Sequence, residues 1–319
     1  MSVPEPALSP LAPPGFLDAL ARGIGQVMLQ DNRWAGLLFL AGVAFNSIPL
    51  GLAVVLGTAV STGTALALGA DRTAVRCGLF GFNGALTALA LLVFLEPSAL
   101  TWALIALAAA TSTVLMAAMQ RFLQPWNLAV LTAPFVFTAW CGFLATGRLG
   151  RLEPTLLLPT ATLPDAARVE GVVGAGTVLE GLLNGVAQIF FQQGAVAGLL
   201  FCAGLALASR QALVAALAGS AIGLATGWIG GAAEPALRAG LYGFNPALTA
   251  IALWTVFLRL DLAGALYGAM ACVASAILFA ALSAGLAPFG LPALTFPFVA
   301  ATWVFLLAAP KLASLRPLA

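Results

Sequence analysis

The sequence predicts an all-α polytopic membrane protein made of two inverted repeats, each with five transmembrane helices and one re-entrant helix, and a pore at the repeat interface. Three observations carry this reading: the composition suits lipid, one unit occurs twice, and each unit holds an odd number of spans. Of 319 residues, 62% are apolar, 8% are charged and none is histidine, against about 25% charged residues in an ordinary soluble domain. Thirteen Lys/Arg and eleven Asp/Glu are too few to cover a globule of this size with water-compatible surface. A span takes about 20 apolar residues, so roughly ten fit, with chain left for loops and partial helices.

The repeat is explicit. GIGQVML from Gly23 returns as GVAQIFF from Gly185, and AGLLFLAG from Ala35 returns as AGLLFCAG from Ala197, both 162 residues later. RCGLFGFNGALTALAL from Arg76 aligns with RAGLYGFNPALTAIAL from Arg238 at the same offset, and LTAPFVFTAW from Leu131 with LTFPFVAATW from Leu294 after one extra residue. A bland apolar run would not place Gln, Arg, Asn, Thr, Pro and Trp in one order twice, so duplication is the simplest explanation.

Residues 1–15 are proline-rich and carry Glu5 but no Lys or Arg before Arg22, so they read as a disordered tail and not as a cleavable signal peptide. The first repeat, 16–147, opens with a partial helix over 16–29, followed by spans near 34–45, 49–68, 74–95, 101–119 and 128–146. Residues 148–176 form the longest polar connection, with Arg148, Arg151, Glu153, Asp165, Arg168 and Glu170. The second repeat, 177–309, has a partial helix over 177–191 and spans near 195–208, 213–229, 236–257, 263–282 and 291–309, before a tail at 310–319. Five spans per unit return the chain on the opposite side and invert the second unit. With the N-terminus inside, nine cations (Arg22, Arg33, Arg72, Arg76, Arg121, Arg210, Arg259, Lys311, Arg316) face the cytoplasm and four (Arg148, Arg151, Arg168, Arg238) face out. That excess places both termini in the cytoplasm.

Asn83 and Asn245 fall deep in predicted spans, where a buried amide is costly unless its donor and acceptor are both paired. Pro246 and its counterpart Gly84 are expected to interrupt the helix beside them, as are Pro134 and Pro297. The freed carbonyls would either be satisfied by a neighbouring helix or line a shared pathway; two symmetric pairs favour the pathway. Thr132 and Thr295 each precede a proline by two residues. A helical threonine commonly bonds its own backbone, but the repeat axis would bring these two near the midplane, at the narrowest part of a pore. Phe82 with Leu86 and Phe244 with Leu248 share a helix face, which alone is ordinary packing. Gln26 and Gln188 end the partial helices three residues before Leu29 and Phe191, and a neutral amide that donates and accepts suits a neutral polar solute.

The sequence also excludes chemistry. Cys77, Cys141, Cys202 and Cys272 are dispersed in apolar stretches without histidine, which gives no metal site. No phosphate-binding loop, nucleophile-base pattern, cofactor motif or nucleic-acid footprint is present. Passive permeation is the default.

At these residues the chain resembles the urea transporter family. Its bacterial-type pattern LPxxTxPF is complete at Leu291, Pro292, Ala293, Leu294, Thr295, Phe296, Pro297 and Phe298, and lacks only the first proline in the earlier copy, from Leu128 to Phe135. The likeness runs from about residue 16 to 309. It implies a homotrimer in the bacterial inner membrane, in contact with lipid, with one urea-conducting slot per protomer and no cofactor. Phe82, Phe191 and Phe244 would be slot aromatics, with Leu29 standing in the fourth place. Leu86 and Leu248 would wall the slot, Gln26 and Gln188 would extend ladders of carbonyl oxygens, and Thr132 and Thr295 would line the constriction. Some members carry Glu where Gln188 stands. The other readings are a channel for another small amide, ammonia or water, an ion-coupled transporter, and, with least support, a membrane enzyme.

Overall fold

The computed structural model describes residues 13–164 and 169–318; the expectations for most of the N-terminal tail, with Glu5, and for Asp165 and Arg168 lie outside these. The first half contains α1 (Pro13–Gln26), α2 (Arg33–Asn46), α3 (Ile48–Ala67), α4 (Arg72–Arg76), α5 (Phe82–Phe94), α6 (Ala99–Leu123) and α7 (Ala133–Thr146). The second contains α8 (Ala175–Ala187), α9 (Ala195–Ala208), α10 (Arg210–Ile229), α11 (Glu234–Arg238), α12 (Phe244–Ile251) with a π-helical extension Ala252–Phe257, α13 (Leu262–Leu286) and α14 (Phe296–Ala308). Among the described residues the only β pairing is two isolated bridges.

Local chemistry sets the helix starts. Asn32 caps α2 by accepting from the amides of Trp34 and Ala35, at 2.9 and 3.1 Å. Ser47 caps α3 and Ser209 caps α10 at matching positions, and Ser98 and Asp261 cap α6 and α13. Each cap satisfies a backbone donor that the helix itself leaves free. Among the described residues, four helical stretches are long and apolar enough to cross a bilayer: Ile48–Ala67, Ala99–Trp126, Arg210–Ile229 and Leu262–Phe289. The stretches Ala175–Phe190 and Ala195–Ala208 pass that test only as a pair, bent by 73°. The chain is an all-helical integral membrane protein.

The remaining helices correct the sequence reading. The expected continuous spans at 74–95 and 236–257 are each divided into a short helix, a tight turn and a second helix. Gly78 and Gly240 make those turns with φ of 76° and 78°. A Cβ on Gly78 would lie 2.3 Å from the Gly23 nitrogen, so the turn needs glycine both for its backbone and for its contact with α1. Asn83 and Asn245 consequently sit in the first turn of α5 and α12, not in mid-span. Likewise the expected spans at 128–146 and 291–309 become helical only at Ala133 and Phe296. Pro134 and Pro297 are second residues of these helices and Pro246 is the third of α12. All three start helices and do not kink them, because the first turn has no intrahelical use for the missing N–H.

The halves meet at α2 and α9. Phe39 and Phe201 pack edge to face at 5.8 Å between centroids, with Phe190 against both. Each ring occupies space over the other helix's glycine: a Cβ on Gly42 would stand 2.5 Å from Phe201 Cε1, and one on Gly204 2.5 Å from Phe39 Cε1. Small residues at a crossing let apolar helices approach closely where lipid supplies no hydrophobic drive. Gly42→Val should therefore destabilise the purified protein by about 1–3 kcal/mol through overpacking, read as a lower unfolding temperature. Gly63→Ala, which meets nothing within 4 Å, should change it little.

Candidate functional site

The segments before α7 and α14 run through the interior without helical partners, so each of their polar backbone groups must be satisfied by something else. Asn83 does this for the first. Its Nδ2 donates to the Leu131 carbonyl at 3.3 Å and its Oδ1 accepts from the Phe135 amide at 3.0 Å. Asn245 repeats the arrangement, donating to Leu294 O at 3.1 Å and accepting from Phe298 N at 3.0 Å. Both asparagines are fully buried. Leu131 and Leu294 adopt left-handed φ values of 56° and 51°, a conformation that side-chain-bearing residues hold only where their surroundings enforce it.

Two tryptophans tie the halves together. Trp140 Nε1 donates to the Pro292 carbonyl and Trp303 Nε1 to the Ala129 carbonyl, each at 2.8 Å. Each ring thus braces the other half's irregular segment. Between these segments Thr132 Oγ1 and Thr295 Oγ1 form one hydrogen bond of 2.6 Å, with residue exposures of 3% and 2%. The sequence placed both hydroxyls near a common axis; in the structure they touch.

The partial helices end by a second symmetric device. Leu29 and Phe191 turn left-handed at φ of 60° and 56°. Their amides donate to the carbonyls of Gln26 and Gln188, both at 2.9 Å. Gln30 and Gln192 then reach back to the Met28 and Phe190 carbonyls, again at 2.9 Å each. Gln26 Nε2 is anchored on Cys77 O at 2.9 Å and Gln188 Nε2 on Ala239 O at 3.0 Å. With the nitrogen held, each amide offers its oxygen.

Two cavities approach the threonine pair. The larger, about 980 Å³, is lined by Gln26, Leu29, Phe82, Met116, the segment 128–132 and, in charge, by Asp31 and Arg121. The smaller, about 300 Å³, is lined by Gln188, Phe191, Phe244, Phe279 and residues 291–294, with no ionisable group. Each is built chiefly by one half. Of the residues singled out in the sequence, Leu86 and Leu248 are fully buried and line neither cavity. Gly84 packs beside Gly57, where a Cβ would fall 2.4 Å from the Gly57 carbonyl oxygen. The sequence reading missed Met116 and Phe279, which occupy matching positions on α6 and α13. Phe279 stands edge to face with Phe244 at 5.7 Å and with Tyr242 at 5.3 Å. Overlaying the two repeats through α6 and α13 is the signal that pairs them.

Ion pairs form at α1 and between α8 and α11. Arg22 joins Asp18 at 2.7 Å and Asp31 at 2.6 Å; Arg238 joins Glu180 at 2.9 Å and Glu234 at 2.8 Å. Hydrogen bonds from the Thr177 hydroxyl and from Arg238 hold the Glu234 carboxyl below the usual glutamate range. Among the described residues no cluster suits a metal.

Apolar helices around two cavities that converge on a shared polar contact are the arrangement of a membrane transport protein, a transporter or channel. The profile of the family described as "Urea transporter" matches residues 17–310. A sheep protein named Urea transporter 1 (Ovis aries) is 32% identical over 300 residues, covering 93% of this chain and 78% of its own. The mouse protein of that name (Mus musculus) is 34% identical over 301 residues, with the same two coverages of 93% and 78%. The chain belongs to the urea transporter family.

Asn245→Leu should cost roughly 2–4 kcal/mol, because it strands a buried carbonyl and a buried amide. Thr249→Val, which removes only a bond to the Asn245 carbonyl within α12, should stay within about 1 kcal/mol of the parent. Unfolding of the two purified variants by heat or denaturant checks the difference.

Proposed function

We propose that this chain conducts urea passively, down its gradient, through a slot that joins the two cavities between Thr132 and Thr295. The observation that carries the proposal is the hydroxyl pair itself: the point where the halves meet is uncharged and polar, inside an apolar wall. Urea is flat and neutral, with four N–H donors and one carbonyl. Phe82 on one side and Phe191 and Phe244 on the other would select its shape, Leu29 filling the remaining place. Carbonyl oxygens of 128–132 and 291–294, each able to accept twice, with Gln26 and Gln188 Oε1 beyond them, would replace its water hydrogen bonds. Leu86 and Leu248 would wall the neck between the cavities.

The two threonine hydroxyls share one hydrogen bond. A passing urea would exchange that one bond for bonds to itself, so both hydroxyls would stay paired as the neck opens. An ion would receive no comparable compensation in the neck and would lose several kcal/mol or more in desolvation. The internal repeat supports an inverted pair of five-span units, and the excess of cations at the first cavity's end supports that end, with both termini, facing the cytoplasm. In the assembly we propose, a homotrimer, every protomer keeps its own slot. A second reading, a pore for another small amide, ammonia or water, fits the same neutral neck, and competition with urea would reveal it.

Stopped-flow light scattering on proteoliposomes under an inward urea gradient, at two pH values and without ion gradients, tests the proposal. Urea influx should exceed that of empty vesicles and ignore pH. Influx equal to that of empty vesicles from folded protein, or influx that requires an ion gradient, would refute it. Thr295→Val should lower influx severalfold at equal protein, since it leaves Thr132 without a partner and removes a hydroxyl that urea would use. Unchanged influx would remove Thr295 from the path.

A further inference from the structure

Both halves finish with the same backbone device and opposite charges. After α7 the chain returns to the end of α5, where Leu95 bridges Pro154 and the Glu96 amide donates to the Glu153 carbonyl at 2.8 Å. After α14 it returns to the end of the π-helical segment, where Leu258 bridges Pro317 and the Arg259 amide donates to the Arg316 carbonyl at 2.9 Å. Two glutamates are thus paired residues beside the first bridge, and two arginines beside the second. Since the backbone is common to both, the fold requires neither sign.

The arginine bridge also forms a concavity of about 380 Å³, lined by Arg259, Arg316, Pro317 and Leu318. Both arginines are exposed, and neither enters any of the ion pairs or side-chain hydrogen bonds found among the described residues. The neighbouring acid, Asp261, is engaged in capping α13 through the Gly264 amide at 2.9 Å. Val256 and Phe257, just before the bridge, line the larger cavity, so the concavity lies at that cavity's end of the molecule, where a span emerges from lipid.

Two like charges on directly paired residues repel unless an ion of opposite sign lies between them. A guanidinium presents a planar fork that matches a phosphate, and two forks over an apolar floor of Pro317 and Leu318 suit a phosphate attached to an apolar body. We propose that this concavity is a binding site for a phosphate-bearing anion, supplied either by a phospholipid headgroup or by free phosphate. The site stands apart from the slot and does not depend on what the slot conducts.

The test is thermal unfolding of the purified full chain in a zwitterionic detergent at fixed ionic strength, titrated separately with inorganic phosphate, phosphatidylglycerol and phosphatidylcholine. The parent should be stabilised by phosphatidylglycerol or by phosphate and not by phosphatidylcholine. A shift with phosphate alone identifies free phosphate as the ligand; a shift confined to phosphatidylglycerol identifies the headgroup. Arg259→Gln with Arg316→Gln should weaken the apparent affinity by roughly tenfold. The two Lys replacements, which keep charge but lose the fork, should give an intermediate value, and Glu96→Gln with Glu153→Gln should match the parent. Urea influx, where the parent shows it, should be unchanged in the Lys pair. A Gln pair, or a Lys pair if the former does not fold, that titrates like the parent would overturn the proposal, as would equal stabilisation by both lipids.

Discussion

The structure depends on the cost of unpaired backbone groups away from water. The segments 128–132 and 291–295 leave helical geometry inside the molecule, where each unsatisfied carbonyl or amide costs several kcal/mol. Asn83 and Asn245 meet that cost with one donor and one acceptor each, spanning the residue before the threonine and the first turn of the next helix. Once those amides are fixed, the left-handed turns at Leu131 and Leu294 are enforced and Thr132 and Thr295 project toward one another. The tryptophan braces then make the arrangement mutual, since each half satisfies a carbonyl of the other. Neither half is complete alone.

The same residues recur in both halves with the same bonds, and the differences between the halves give the molecule a direction. The shared residues include those with backbone tasks: the asparagines, the tryptophans, the turn glycines, and the glutamines at 26, 30, 188 and 192. Some of the residues that differ line the cavities. Leu29 and Met116 stand on one side where Phe191 and Phe279 stand on the other, and a glutamate bridge stands opposite an arginine bridge. A symmetric scaffold thus carries two chemically unequal ends, the aromatic one being smaller and free of ionisable lining groups.

How much of this could be read from the chain follows from which signals are local. Apolar composition points to the membrane, and the ordered recurrence of GFN, Gln and Thr-x-Pro picks out residues that the structure brings together. Helix breaks were harder to see. An apolar stretch such as 74–95 has the length of a span, and nothing in its hydropathy shows that Gly78 must turn left-handed against α1. The prolines are legible as breaks, but a Pro at a first turn and a Pro at a kink look alike without the start of the helix. Phe279 and Met116 were hidden among many apolar neighbours, and only α6 laid over α13 sets them apart. Leu86 and Leu248 share a helix face with Phe82 and Phe244, yet one further turn takes them into full burial.

The central claim is that a neutral solute parts the Thr132 and Thr295 hydroxyls while the asparagine clamps stay closed. An experimental structure of the protein in lipid nanodiscs, determined with and without saturating urea, tests it most directly. With urea, density for a flat solute should occupy the cavities beside Phe82 and Phe244, and the two hydroxyls should separate beyond their 2.6 Å contact. The bonds from Asn83 to Leu131 and from Asn245 to Leu294 should persist. Urea found on a route that leaves the threonine pair bonded, or clamps that open when urea binds, would contradict the claim.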